Sequence, residues 1–488
     1  MSASFVAEVN TAVIPYEPAA VWAERTFAPV DLGDPRRTRR LVRAAARIAD
    51  RPQGSLPSKF DWNGLRAVYR LMNRPEATHE EIIGPHCQQV REAMGREPVA
   101  LIVHDTTQLD FTSHRALSGT GPLGTGGGRG FLQHNSLAIR PDGQLLGLAC
   151  QQVVLRQPRP AKETPAQRRR RRRESQLWPD GIAGAGPAPG GRVWVDVADC
   201  GGDAFDAMHQ ARALGHHFLI RAAQDRKVRA GPPGDERETY LRRYARGLAP
   251  QATGTVAIRS KGGRPGRQAA VALAAAAVWV GPPWPESRRA GARPPLRAWV
   301  ERVWEPSPPA GCKPLEWVLL SSLPVGSAEQ LRQRQAWYAL RWPVAEEFHQ
   351  VEKTGCGEEQ LRFETAEAMR PMLALLSVAA VRVLQLRDAE GHDPEAPASV
   401  VASAEERAVV AAVTAGGLSA GAMTVRQFVR GAARLGGYLG RRGDGPPGWK
   451  TLWRGYQRLQ DLIEGARLAA VMNQAPQPPT ADANHGIP

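Results

Sequence analysis

Cysteine is scarce: five in 488 residues, at Cys87, Cys150, Cys200, Cys312 and Cys356. None stands in a Cys-x-x-Cys step or a Cys/His metal spacing, which excludes a zinc module and a disulfide-stapled scaffold and fits a reducing compartment. Long apolar runs are also missing. The longest, Ala269 to Val280, has twelve residues, short of the roughly 20 that span a bilayer, so no membrane partner is expected. The N-terminus has no basic segment followed by an apolar one, and a cytoplasmic location is the expectation. The stretch Gly119 to Gly130 lacks the closing Gly-Lys-Ser/Thr of a phosphate-cradling loop and reads as a flexible loop.

Acidic residues are outnumbered, 48 against 64 Lys plus Arg, for a formal charge of +16. Such an excess favours a polyanionic partner, nucleic acid first. A chain this long exceeds one hydrophobic core, so two or three domains are expected.

The N-terminal third opens as helices. After a turn at Gly33-Asp34-Pro35, Arg36, Arg40, Arg43 and Arg47 recur at helical spacing, with Arg37 beside them, while Leu41, Ala45 and Ile48 fall on another face. A second helix runs from Trp62 to Met72 and stops at Asn73-Arg74-Pro75. From Pro98 the pattern turns to strands: Val99 to His104, Asn135 to Ile139 and Leu145 to Val154, the last two joined by a turn at Pro141 to Gly143. Residues 157–190, with six arginines from Arg168 to Arg173 and then a Gly/Ala/Pro segment, read as a mobile basic loop. Strand, helix and strand follow at Arg192 to Ala198, Asp203 to Leu214 and His217 to Arg221, the order of an α/β fold. Residues 225–325 read as a β-rich insertion, with strands around Gly254 to Ile258, Leu296 to Trp304 and Trp317 to Ser321. Helical periodicity returns at Ser327 to Thr354, Ala366 to Arg387 and Val425 to Met472, and 474–488 should be disordered.

Two apolar strands end in a carboxylate: Val99 to Asp105, and Val193 to Asp199. Val193, Val195, Val197 and Asp199 share one face by the two-residue period, and Asp196 points to the other. A third acid is available in Trp342-Pro-Val-Ala-Glu346-Glu347-Phe-His349, where Pro343 suits a first helical turn and Gly355 a stop. Glu346, His349 and Lys353 would then line one face. His349 reads as a hydrogen-bonded bystander outside any metal site.

With these motifs in order, the chain resembles the DDE transposases of the insertion-sequence-four family, most closely its transposon-five branch. Leu32 to Thr38 with Arg40-Leu-Val resembles the family's DNA-binding segment, His104 to Thr107 its first catalytic block, and Asp199 to Asp203 the second. Tyr338, Arg341, Glu346 and Lys353 resemble its tyrosine-arginine-glutamate-lysine signature. The family places three residues between arginine and glutamate; here there are four. Strict counting lands on Ala345, which has no ligand atom. Glu-Glu-Phe-His and the six residues before Lys353 select Glu346, with the extra residue taken up near Pro343 and Glu347 as substitute.

The resemblance implies an RNase H-like core over 76–369, a helical DNA-binding domain over 1–75 and helical dimerisation elements over 370–473. It implies two Mg2+ ions, replaceable by Mn2+, on Asp105, Asp199 and Glu346, and cut-and-paste transposition on double-stranded transposon ends and target DNA, by a homodimer. Carboxylate oxygens suit that cation, and a pair of such ions suits phosphoryl transfer. Tyr338, Arg341 and Lys353 would grip phosphates, Trp317 would stack on a flipped nucleotide, and Arg221 would contact DNA, as would the arginine helix. Two alternatives remain: an inactive, transposase-derived DNA-binding inhibitor, and a structure-selective nuclease.

Overall fold

Strand β1 (Val99–Asp110) begins with five fully buried residues, and β5 (Val193–Ala198) is buried from Trp194 onward. Such near-continuous apolar runs belong to strands covered on both faces. The two pair in parallel, and β6 (His217–Arg221) extends the parallel set beside β5. On the other side of β1 stands an antiparallel hairpin, β3 (Gly128–Ile139) and β4 (Leu145–Val154), turning at Pro141 to Gly143. The computed structural model describes residues 17–51, 54–124, 126–157, 162–164, 167, 173–232, 234–259, 266–283, 286–288, 291–414 and 419–474. Most of the arginine run and the tail expected to be disordered lie outside these residues.

Among them the sheet has twelve strands. A short strand β2 (Gly121–Leu123) joins β3, so the glycine-rich stretch read as a loop supplies strand edges. Glycine is required there: at Gly130 an added Cβ would meet the Leu109 carbonyl of β1 at 1.9 Å, so only glycine lets β3 close on β1 while pairing with β2. The β-rich insertion continues the same sheet: β7 (Lys227–Ala230), β8 (Arg237–Tyr240), β9 (Ala252–Ile258), β10 (Arg267–Val280), β11 (Leu296–Trp304) and β12 (Glu316–Ser321), with β12 docked antiparallel on β6. The alanine-rich run from Ala269 is strand; it pairs on both sides, with β9 and β11.

Helices α1 (Ala19–Phe27), α2 (Pro35–Asp50), α3 (Leu56–Lys59), α4 (Trp62–Met72) and α5 (His79–Arg96) precede the sheet. The α2 start is specified chemically: Asp34 accepts from the Arg36 N–H at 2.8 Å and Pro35 holds the first turn. Helix α6 (Leu177–Ala185) lies where composition predicts a mobile loop. Leu177, Trp178, Ile182 and Ala185 are buried against the sheet and α7 (Phe205–Ala213), and that burial outweighs the helix-weakening effect of Gly181 and Gly184. A short α8 (Leu241–Arg246) packs on β11.

Helix α9 (Ala328–Gln350) starts at Ser327, whose hydroxyl accepts from Gln330, and places Pro343 mid-helix instead of in a first turn. A π turn follows over Val351–Gly355, with the Cys356 N–H bonded to the Val351 carbonyl at 2.6 Å. Helix α10 (Ala366–His392) is apolar enough to span a bilayer by composition, yet 83% of its most apolar window is buried within the protein.

The chain divides into two compact units, Ala19–Asp388 and Ala389 onward. The N-terminal helices, expected as their own domain over 1–75, fall in the first unit with the sheet, and the second boundary comes later than 370. The second unit holds α11 (Ala404–Val413), α12 (Val425–Leu435) and α13 (Trp449–Gln474). Its core includes Val410, Phe428, Val429, Leu452, Trp453 and Leu459.

Candidate active site

Asp105 does not end its strand. Strand β1 runs on to Asp110, still paired with β3, and Asp105 stands opposite Asn135. Its parallel pairing with β5 does end nearby, at His104 against Ala198. The next residue on each strand is an aspartate, Asp105 on one and Asp199 on the other. Side chains alternate along a strand, so both carboxylates leave on the face that carries Val103 and Val197.

On the opposite face Asp196 is buried, accepting at 2.9 Å from His104 and at 3.0 Å from His216. Those two imidazoles hold its carboxyl below the usual range against the opposing effect of burial. Asp196 is therefore structural, as its parity predicts. Asp203 likewise serves the fold, accepting from the Ala223 and Gln224 N–H groups at 2.8 and 3.0 Å.

Helix α9 packs over the Asp105 face. Arg341 Nη1 lies 3.7 Å from one Asp105 oxygen and His349 Nδ1 3.7 Å from the other. Burial pushes the Asp105 carboxyl up to about 6; Arg341 opposes the rise, while Asp199 and Glu346 add to it by like-charge repulsion. Asp105 thus feels both other acids of the expected triad. Glu346, however, is half exposed and faces Arg259 at 3.9 Å. Glu347 is engaged by Arg259 at 3.3 Å and by Arg387.

The helix register explains this. At about 100° per residue, Ala345 lies roughly 40° round from Arg341, His349 roughly 80° and Glu346 roughly 140°. Asp105 contacts Arg341 and His349, so the position aimed at it between them is Ala345, which is fully buried. The extra residue is not taken up at Pro343. The helix runs unbroken through Pro343 to the π turn, which is one residue wider than an α turn and contains Lys353. Lys353 donates to the Gln108 carbonyl on β1 and lies 3.5 Å from Glu359.

Tyr338, Trp342 and Trp317 form one aromatic cluster, with ring centroids 5.0–5.4 Å apart. Trp317 is only 3% exposed, so here it fills the interior and offers no face to a flipped nucleotide. Trp342, partly exposed and 4.8 Å from the Arg341 guanidinium, is the ring of the cluster nearer solvent. Arg221 ends β6 beside the same cluster, its guanidinium 3.5 Å from the Glu316 carbonyl.

Beneath the site lies a polar network that sequence reasoning missed. Glu352 is fully buried and accepts from Gln133 at 2.8 Å and Asn135 at 3.0 Å. Glu358 accepts from Ser377 at 3.0 Å. Burial raises both carboxyls, Glu358 to about 8. The sequence signal is the polar run Gln133-His134-Asn135-Ser136 between the apolar stretches of β3.

The donor chemistry suits a hard divalent cation: carboxylate oxygens, one of them buried among like charges that a cation would relieve. Among the described residues, no three His, Cys, Asp or Glu side chains are gathered closely enough to form a ready-made metal site. One Asp199 oxygen accepts from the Gly201 N–H at 2.7 Å, capping the short turn after β5.

In the N-terminal helices, Arg36 is bound to Asp34 at 3.2 Å and Arg37 to Glu76 at 3.0 Å. Arg47 donates to the Lys59 carbonyl at 2.9 Å. Arg40 and Arg43 are exposed, and both line a groove with Phe60, Asn63 and Gly64 of the neighbouring segment. In the second unit, α13 leaves Leu462, Leu468, Val471 and Met472 exposed.

Comparison with known families matches residues 19–77 to a transposase DNA-binding domain. Residues 378–475 match the dimerisation domain of the Tn5 transposase.

Proposed function

We propose that this chain, which matches a transposase DNA-binding domain over 19–77 and the Tn5 transposase dimerisation domain over 378–475, is a Tn5-like transposase whose middle is an RNase H-like core that cuts transposon ends and joins them to target DNA. One observation carries this reading: Asp105 and Asp199 each follow the last paired residues, His104 and Ala198, of adjacent parallel strands, under a helix that presents Arg341. The antiparallel β4-β3-β1 group followed by parallel β5 and β6 supports the same core.

Asp105 and Asp199 would hold a pair of Mg2+ ions, with the third donor from α9, where the signature points to Glu346. When bound, such ions supply an activated water nucleophile and charge stabilisation at the leaving oxygen. The protein's part is positioning. Arg341 lies beside Asp105 and Lys353 beside Gln108, three residues further along β1, and both would hold phosphate oxygens near a cut. Tyr338 packs beneath Arg341 and fixes its guanidinium. Water cuts one strand at each end and frees a 3′ hydroxyl. That hydroxyl attacks the opposite strand and leaves a hairpin, a second water opens it, and the 3′ ends attack target phosphates. A homodimer would hold both ends.

The test is cleavage of DNA carrying the inverted repeats that flank the coding region, with Mg2+ or Mn2+. Nicked and hairpin products are expected, and Asp105→Asn should abolish them while sparing DNA binding. Equal cutting by that variant would remove Asp105 from the reaction.

The outward turn of Glu346 favours a second reading, a DNA-binding inhibitor that occupies transposon ends or forms mixed dimers. Binding without any product under either metal is its expected outcome.

A further inference from the structure

Strands β7, β10 and β11 set cations and aromatic rings side by side on one face of the sheet. Trp279 pairs directly with Arg229 on one side and Arg297 on the other, and Lys227 on β7 pairs with Tyr240 on β8. Trp299 follows Arg297 at the two-residue period of that face. Alternate residues of the same strands, Val228, Val278 and Val300, point the other way into the core. The Arg229 and Arg297 guanidinium groups lie 5.9 and 5.8 Å from the Trp279 ring, and Arg297 lies 5.6 Å from Trp299. Both arginines are exposed, and neither makes an ion pair or a side-chain hydrogen bond among the described residues. Glu238, opposite Arg229 on β8, is engaged by Lys227 at 2.6 Å instead.

A guanidinium stacked on an indole keeps its N–H edges outward, where they can meet phosphate oxygens. Two such groups flanking one ring, with no amide side chain beside them, suit a duplex backbone held without reading its bases.

This is also the face of the candidate active site. Val103 pairs with Val197, Val197 with Leu219, Leu219 with Ser321 and Ser321 with Trp299. Paired residues share a face, so Trp299 stands on the side from which Asp105 and Asp199 project. It lies four strand spacings from β1, roughly 19 Å, well inside one turn of duplex DNA at about 34 Å.

Resting on the transposase reading, we propose that this arginine and tryptophan face binds target DNA. Transposon ends have a fixed sequence, and the matched DNA-binding domain serves them. The DNA they join has none, and a surface that grips phosphate and ignores bases fits it.

The test separates the two steps in the full-length protein carrying Arg229→Ala with Arg297→Ala. Cleavage is measured on duplexes bearing the inverted repeats, and joining on ends with a free 3′ hydroxyl given increasing amounts of supercoiled plasmid, both with Mg2+ or Mn2+. Cleavage should stay within about twofold of the unaltered protein, which also shows that the variant folds. The plasmid concentration for half-maximal joining should rise at least about tenfold while the plateau rate is kept.

An unchanged plasmid requirement, or cleavage that falls as far as joining, overturns the target-DNA assignment and leaves the transposase reading standing. Absence of both cleavage and joining in the unaltered protein overturns both.

Discussion

Asp105 and Asp199 extend one register: β1 and β5 pair as far as His104 and Ala198, and each strand's next residue is the aspartate. Two carboxylates so placed repel, and Asp199 contributes to the raised value of Asp105. Asp199→Asn removes a like charge, so the Asp105 value should fall from about 6 toward the ordinary carboxylate range. A 13C-detected titration of the metal-free protein reads this directly. An unmoved Asp105 would mean that the two groups do not share a field.

Arg40 and Arg43 are the groove arginines without an internal partner among the described residues, whereas Arg36 and Arg37 are engaged by Asp34 and Glu76. Replacing both with Ala should flatten the slope of log affinity against log salt by about 0.9 for each lost phosphate contact. The same change at Arg37 should act on stability more than on the slope. An unchanged slope for the Arg40/Arg43 pair would assign that face to solvent.

Glu301 is buried in β11, and burial lifts its carboxyl to about 8 against the partial relief of Arg334 and Ser321. The folded chain thus holds a proton that the unfolded chain releases near 4.5. Stability is greatest below the unfolded value and falls as pH rises toward 8, by up to about 1.4 kcal/mol per pH unit for this group. Glu352 and Glu358 act in the same direction. Glu301→Gln should therefore reduce, without abolishing, the fall in Tm between about pH 5 and pH 8; identical profiles would contradict the burial argument.

Trp317 and Trp342 touch, but only one is enclosed. Trp317→Ala should destabilise the protein by about 3–5 kcal/mol, the usual cost of emptying a large aromatic site. Trp342→Ala should cost less, with its larger effect on DNA-end binding. Chemical denaturation beside a binding titration separates the two, and comparable stability losses would refute the difference in burial.

Leu468, Val471 and Met472 lie at i, i+3 and i+4 spacing on one face of α13, exposed and apolar within the matched dimerisation domain. Leu468→Asp with Met472→Asp should weaken self-association by at least about tenfold. Sedimentation of the DNA complex provides the measure, and an intact dimer would place the interface elsewhere.

The sequence by itself determined the elements and their chemistry. Periodicity is local, so it reveals the arginine helix, the apolar strands leading to Asp105 and Asp199, and the opposite face of Asp196 from residue spacing alone. Tertiary structure decided what spacing leaves open. Composition could not show that α6 is held by burial against the sheet, or that a tryptophan suited to stacking is enclosed by Tyr338 and Trp342. It could not show which side chain of α9 faces Asp105, because each residue turns helical phase by about 100° and the packing of α9 on β1 sets where that phase begins. A residue's identity is carried by the chain, but the direction it points depends on how far the backbone has wound before packing fixes it.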